Sequence, residues 1–372
     1  MKILRKGLIS LFLTILLLFI LSFSALAKEG TQTQKEDLPE DLIEEFSALI
    51  VQESGISLEE NDLISSFGFG SILKCISDAI TGSKGEITSF FLTVMGFAIL
   101  CAVSDGASFL GSGDERSLSA AVLTVMSAAI YPSLYSLFSS VGKSLETLSS
   151  FFGAAMPVMS AISAASGSVK TAAVQAANMN IVLGIVGALA TDILLPLSFA
   201  ILALALVSSF GEAGTLRTAK SIRNIFTFGL GIVTAVSSAA ISLQTVIASA
   251  SDSASLRAAR YAAGGLIPVV GSSVSSAIST LAGGLAYAKS TVGAAAIAAI
   301  FALVSAPLVL LLLYRLIFSI GQTVLEYLDI NAAVRCFSAY KAALDAVISV
   351  YVMSTIVCII QVIVFMKGGA AV

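Results

Sequence analysis

Repeated apolar runs, each long enough to cross a bilayer, leave this chain few ways to fold. A membrane-spanning helix needs roughly 20 mostly apolar residues. Stretches near 87–104, 118–141, 172–191, 193–210, 225–250, 292–319 and 342–366 meet or approach that length. In hydrocarbon the backbone must satisfy its own hydrogen bonds, so such runs fold as helices. Composition agrees: 12% of residues are charged and 57% hydrophobic, against about 25% charged in a soluble average. The expected fold is all-α, a polytopic helical membrane protein. Two further stretches, 150–168 and 263–287, are rich in small residues and either cross or re-enter, giving seven to nine spans or re-entrant helices. A large soluble core is excluded.

Residues 1–27 read as a signal peptide. Lys2, Arg5 and Lys6 form a basic start, Leu8 to Phe23 is almost wholly apolar, and Ala25-Leu26-Ala27 fits a cleavage site. The alternative is an uncleaved first span. Residues 28–86 carry 13 of the chain's 23 acidic residues against four lysines. Leu42, Ile43, Phe46, Leu49 and Ile50 share one helical face there. This predicts an acidic extracytoplasmic helical segment, either simply solvated or docking another protein, ahead of a transmembrane domain at 87–372. Its charge argues against binding nucleic acid or anionic lipid. Arg217, Lys220 and Arg223 form a basic loop expected on the cytoplasmic side.

The least ordinary stretch is Arg257–Gly293. Of its 37 residues, 22 are Gly, Ala, Ser or Thr, and only Arg257, Arg260 and Lys289 are charged. Small residues suit close helix packing, while Pro268 and the paired glycines 264–265 and 283–284 favour a broken helix. An earlier stretch echoes it. Gly153 to Pro157-Val158 matches Gly264 to Pro268-Val269, and Lys170-Thr171 matches Lys289-Ser290-Thr291. Repeats over 118–210 and 225–366 would explain this, and paired broken segments occur in transporters. The candidate packing or conduit motif is therefore Gly153, Pro157, Gly264, Pro268, Gly271, Lys289 and Gly293.

Ionisable residues within apolar runs are costly and mark candidate sites. Besides Arg257 and Arg260, they are Asp192, between two runs, and Arg315, inside 292–319. Arg315 is expected to snorkel, or to reach Glu326 or Asp329 by folding back. Lys341 and Asp345 have the spacing of a helical pair. No catalytic constellation emerges. The chain has no His, so no nucleophile–base arrangement stands out, and no phosphate-binding loop pattern is present. The cysteines, Cys75, Cys101, Cys336 and Cys358, lack metal-site spacing. No cofactor and no metal site is expected, and the chain reads as non-enzymatic.

With these elements placed, the chain resembles the stage III sporulation protein AE family of endospore-forming bacteria. The resemblance rests on Arg257-Ala-Ala-Arg260, Gly264, Ile267-Pro268-Val269-Val270-Gly271 and Lys289-Ser290-Thr291-Val292-Gly293. Pro157, Ala172-Ala173, Ile193-Leu194-Leu195-Pro196-Leu197 and Arg223-Asn224-Ile225 support it. It implies a multi-pass protein of the mother-cell membrane facing the forespore. It further implies other membrane subunits of a channel or secretion-like complex as partners. A secondary transporter or permease, and a membrane assembly scaffold, are the rival readings. The lipid bilayer is a partner in each, and a homo-oligomer is compatible with all three.

Overall fold

The structure is a computed structural model. It describes residues 80–108, 115–165, 168–188 and 271–367, residue 77, and scattered positions between 196 and 258. The signal peptide, most of the acidic segment, and Asp192, Arg260, Gly264 and Pro268 lie outside the described residues. So do most of the expected spans 193–210 and 225–250, and with them a comparison of the two repeats.

Five helices organise the described part: α1 (Lys84–Ser108), α2 (Glu115–Ala165), α3 (Val169–Ala188), α4 (Gly271–Tyr327) and α5 (Asn331–Lys367). Four are long and apolar enough to cross a membrane, over Lys84–Ser104, Ala121–Ala165, Lys289–Tyr327 and Asn331–Met366. The described residues contain no strand. The all-α membrane reading therefore holds.

Where they are described, the two small-residue stretches are helical and continuous with a neighbouring apolar run. Residues 150–165 continue α2, a single helix of 51 residues. From Gly271 the second stretch likewise runs without a break through Gly283–Gly284 into the next apolar run, giving an α4 of 57 residues. Proline did not end these helices. Pro132 and Pro157 lie inside α2, and Pro307 inside α4. A proline ring strains against the carbonyl four residues back. At Pro157 that residue is Gly153, which has no Cβ and where an added one would meet no neighbouring element within 4 Å. At about 1.5 Å per residue, α2 and α4 reach about 75–85 Å, far beyond a hydrocarbon layer of about 30 Å.

α2 shows why such a length holds together. Leu123, Met126, Ile130, Leu134, Phe138, Val141, Leu145, Leu148, Phe152, Ala155, Met159 and Ile162 recur at intervals of three and four, and all are buried. That is a continuous helix-packing seam. α2 packs on α1, α3, α4 and α5, and α5 pairs with the C-terminal part of α4, from Tyr327 back to about Gly293. The outer face of α1 carries Leu92, Ile99, Leu100 and Val103, all exposed, which suits lipid contact.

Glycine permits close approach at two places on α4. A Cβ at Gly321 would sit 2.7 Å from Phe337 Cε1 and 2.9 Å from Val94 Cγ1, where α1, α4 and α5 meet. Four heptads earlier, a Cβ at Gly293 would overlap Met366 of α5. Around Gly321 lies an aromatic cluster. Phe90 stacks on Tyr314 with centroids 4.0 Å apart and meets Phe318 edge-on at 5.3 Å. Phe318 meets Phe337 edge-on at 5.6 Å and stacks on Tyr340 at 5.4 Å.

The α4–α5 turn closes with a Schellman arrangement. The Ile330 amide donates to the Leu325 carbonyl (3.1 Å) and the Asp329 amide to the Glu326 carbonyl (3.3 Å). Asp329 has φ 56°, the left-handed conformation this motif requires. Leu325 and Ile330 are both buried, giving the apolar contact that accompanies it.

Candidate functional site

The densest buried polar cluster of the described residues forms where α2 turns into α3. Ser168 precedes α3 as its N-cap, and its carbonyl accepts the Ala172 amide at 2.8 Å. The first amides of a helix have no partner within it and carry partial positive charge. Here they are met by a carboxylate from far along the chain. Asp252 accepts the Lys170 amide through Oδ1 (3.3 Å), and through Oδ2 both the Thr171 amide and the Thr171 hydroxyl (2.7 Å each). Beside it, Lys170 Nζ donates to Ser251 Oγ at 2.8 Å. Asp252 is 6% exposed and Thr171 fully buried. A carboxylate this buried requires hydrogen bonds and a counter-charge. The hydrogen bonds come from α3. Lys289 of α4 is 2% exposed and interacts electrostatically with Asp252, which supplies the opposite charge.

The two halves of the sequence echo, Lys170-Thr171 and Lys289, thus gather around one acid. Sequence reasoning did not single out Asp252. A signal existed: it is the one acid between Glu212 and Glu326.

From this junction a polar stripe continues along α3. Ser168, Thr171, Gln175 and Asn178 fall at intervals of three and four, and all are buried. Ser163 of α2 donates to Gln175 Oε1 at 2.7 Å. Among the described residues no group of three or more Cys, Asp or Glu could hold a metal ion. The cluster's chemistry is to hold charge and hydrogen bonds inside an apolar bundle.

The other sequence-singled residues are dispersed. Gly153 and Pro157 lie on the exposed side of α2, Gly271 opens α4, and Gly293 packs on α5 as described. Arg257 is exposed, on the segment that carries Asp252. Arg315 does not pair with Glu326 or Asp329. Its Nε lies 2.5 Å from Asp345 Oδ1 of α5, with side chains 23% and 16% exposed. Glu326 instead accepts from Gln322 at 2.6 Å, and Asp329 shapes the turn. Lys341 donates to Ser319 Oγ at 3.1 Å. The hairpin pairing thus redirects Arg315 from its own helix to the neighbouring one.

Comparison with known proteins now bears on the fold. The family model described as stage III sporulation protein AE matches residues 51–369, nearly the whole chain. The chain belongs to the stage III sporulation protein AE family. A relative in Bacillus subtilis (strain 168), named stage III sporulation protein AE, is 24% identical over 228 residues. That match covers 61% of this chain and 57% of the relative, so the chain spans somewhat more than half the length of the curated relative it matches. No solved structure matches. Family membership assigns the protein a role in sporulation, and its four apolar helices make it a membrane protein.

Proposed function

We propose that this stage III sporulation protein AE family member is a non-enzymatic membrane subunit of a multiprotein transenvelope channel or secretion-like complex used in endospore development. It would sit in the mother-cell membrane facing the forespore. The observation that carries the reading is the length of α2 and α4, 51 and 57 residues. A single crossing needs about 20 residues, so tens of ångströms of each helix extend past the hydrocarbon. In a subunit that meets partners across an envelope, that surplus supplies a rigid extension.

The test separates a subunit from a self-sufficient transporter. The full chain is purified, reconstituted in vesicles, and assayed for solute flux alone and with the membrane partners that co-purify from sporulating cells. The expected result is no flux from the chain alone and recovery of a defined complex with partners. Flux from the isolated chain would overturn the subunit reading in favour of a transporter.

A further inference from the structure

α3 and α5 pack against one another, and each carries polar side chains on its buried surface. On α3 these are Thr171, Gln175 and Asn178; on α5 they are Ser354 and Gln361, with Cys358 between them at helical spacing. Gln175 is 4% exposed, Gln361 1% and Ser354 0%. Polar groups buried in an apolar bundle are ordinarily satisfied by protein or ordered water. Three atoms here have no hydrogen-bond partner within the protein: Gln175 Nε2, Ser354 Oγ and Gln361 Oε1. An amide nitrogen is a donor, an amide oxygen an acceptor, and a hydroxyl both. The set calls for a small molecule that donates and accepts at once.

We infer that α3 and α5 enclose a hydrated polar seam, a binding site for water or a water-sized neutral solute, running from Thr171 beside Asp252 to Gln361 and Ser354. Opposite charges on Asp252 and Lys289 at its Thr171 end keep it close to neutral overall. The inference stands on the packing of α3 and α5 and does not depend on the channel reading.

Two native cysteines test it. Cys358 lies on the α5 face between Ser354 and Gln361, whereas Cys336, nearer the α4–α5 turn, lies 3.9 Å from the Ser127 hydroxyl of α2; both belong to the same buried core. Both are essentially inaccessible, at 1% and 0% exposure, so a dry interior predicts equal inertness. Full-length chains retaining only Cys358 or only Cys336 are placed in vesicles and exposed to Ag+. This ion is close to water in size and replaces the thiol proton. Unreacted thiol is then counted after unfolding. The expected result is loss of the Cys358 thiol and retention of the Cys336 thiol. Retention of both, loss of both, or loss of Cys336 alone would overturn the inference. Hydroxyl-radical footprinting of the unaltered chain repeats the comparison without substitutions. Radicals arise from nearby water, so Cys358 is expected to oxidise ahead of Cys336, and equal protection would again reject the seam.

Discussion

Ser144 of α2 donates a hydrogen bond of 3.2 Å to the backbone carbonyl of Leu303 in α4. Leu303 lies four residues before Pro307, which has no amide hydrogen to offer it. The hydroxyl therefore satisfies an acceptor that proline left without its helical partner. Tyr351 of α5 joins the group, its hydroxyl 2.7 Å from Ser144 Oγ and 3.4 Å from the Val304 carbonyl. In a membrane helix, such repair by neighbouring side chains is what makes an internal proline tolerable.

The first prediction follows directly. Ser144→Ala should destabilise the bundle by about 1–2 kcal/mol, the cost of an unsatisfied buried acceptor. In a Pro307→Ala background the helix supplies its own donor, so the same change should cost much less. Thermal unfolding of the four chains in detergent gives the coupling; equal costs in both backgrounds would show that the proline and the serine are unrelated.

Removing one partner of the Arg315–Asp345 pair should harm more than removing both. The side chains are partly exposed, so solvent screening reduces the several kcal/mol typical of fully buried pairs to about 1–3 kcal/mol. Arg315→Leu and Asp345→Leu should each lower the melting temperature, and the double substitution should recover part of the loss. A double variant as damaged as the sum of the two would argue against direct pairing.

The aromatic cluster predicts a larger effect. Phe318 is fully buried and meets Phe90, Phe337 and Tyr340. Phe318→Ala should cost about 3–5 kcal/mol through lost burial and the cavity left behind. Gly321→Val places atoms against Phe337 and Val94 and should cost about 1–3 kcal/mol by overpacking. Gly293→Ala should be milder, since the flexible Met366 can move aside. Unfolding midpoints in that order would support the described helix contacts.

At the hairpin tip, Asp329→Val should destabilise by about 1–2 kcal/mol, because a β-branched residue tolerates the left-handed conformation poorly. Asp329→Gly removes that restriction but also loses the 3.1 Å bond that Asn331 Nδ2 donates to Asp329 Oδ1. Its stability should stay close to that of the parent. Similar losses for both variants would place the cost in the side-chain bond and not in the backbone.

Hydropathy exposed most of the helices because uninterrupted apolar length survives any rearrangement of neighbours. It misread their limits. Pro157 and the glycine pair at 283–284 are local helix-breaking signals, yet α2 and α4 continue through them. For α2 the reason is tertiary: a long apolar seam holds the segment in one line, and in α4 a neighbouring group, Ser144, repairs the defect at Pro307. The candidate site was half legible. Lys170-Thr171 and Lys289 were visible as an echo, but their meeting point was not, because Thr171 and Asp252 lie 81 residues apart. In the sequence Arg315 reads as snorkelling or as reaching Glu326 or Asp329, because its partner, 30 residues away, becomes a neighbour only when α4 and α5 fold back together.

That folding back also fixes a relation between the two sides of the envelope. Only Leu328, Asp329 and Ile330 separate α4 from α5, too few for one helix to cross while the other stays behind. Insertion must therefore deliver them as a pair, and a bilayer crossed by the Lys289–Tyr327 part of α4 is crossed again by α5 in the opposite sense. A reporter fused after Lys367 and an epitope placed just before Gly271 will share a compartment, whichever way the rest of the chain is threaded.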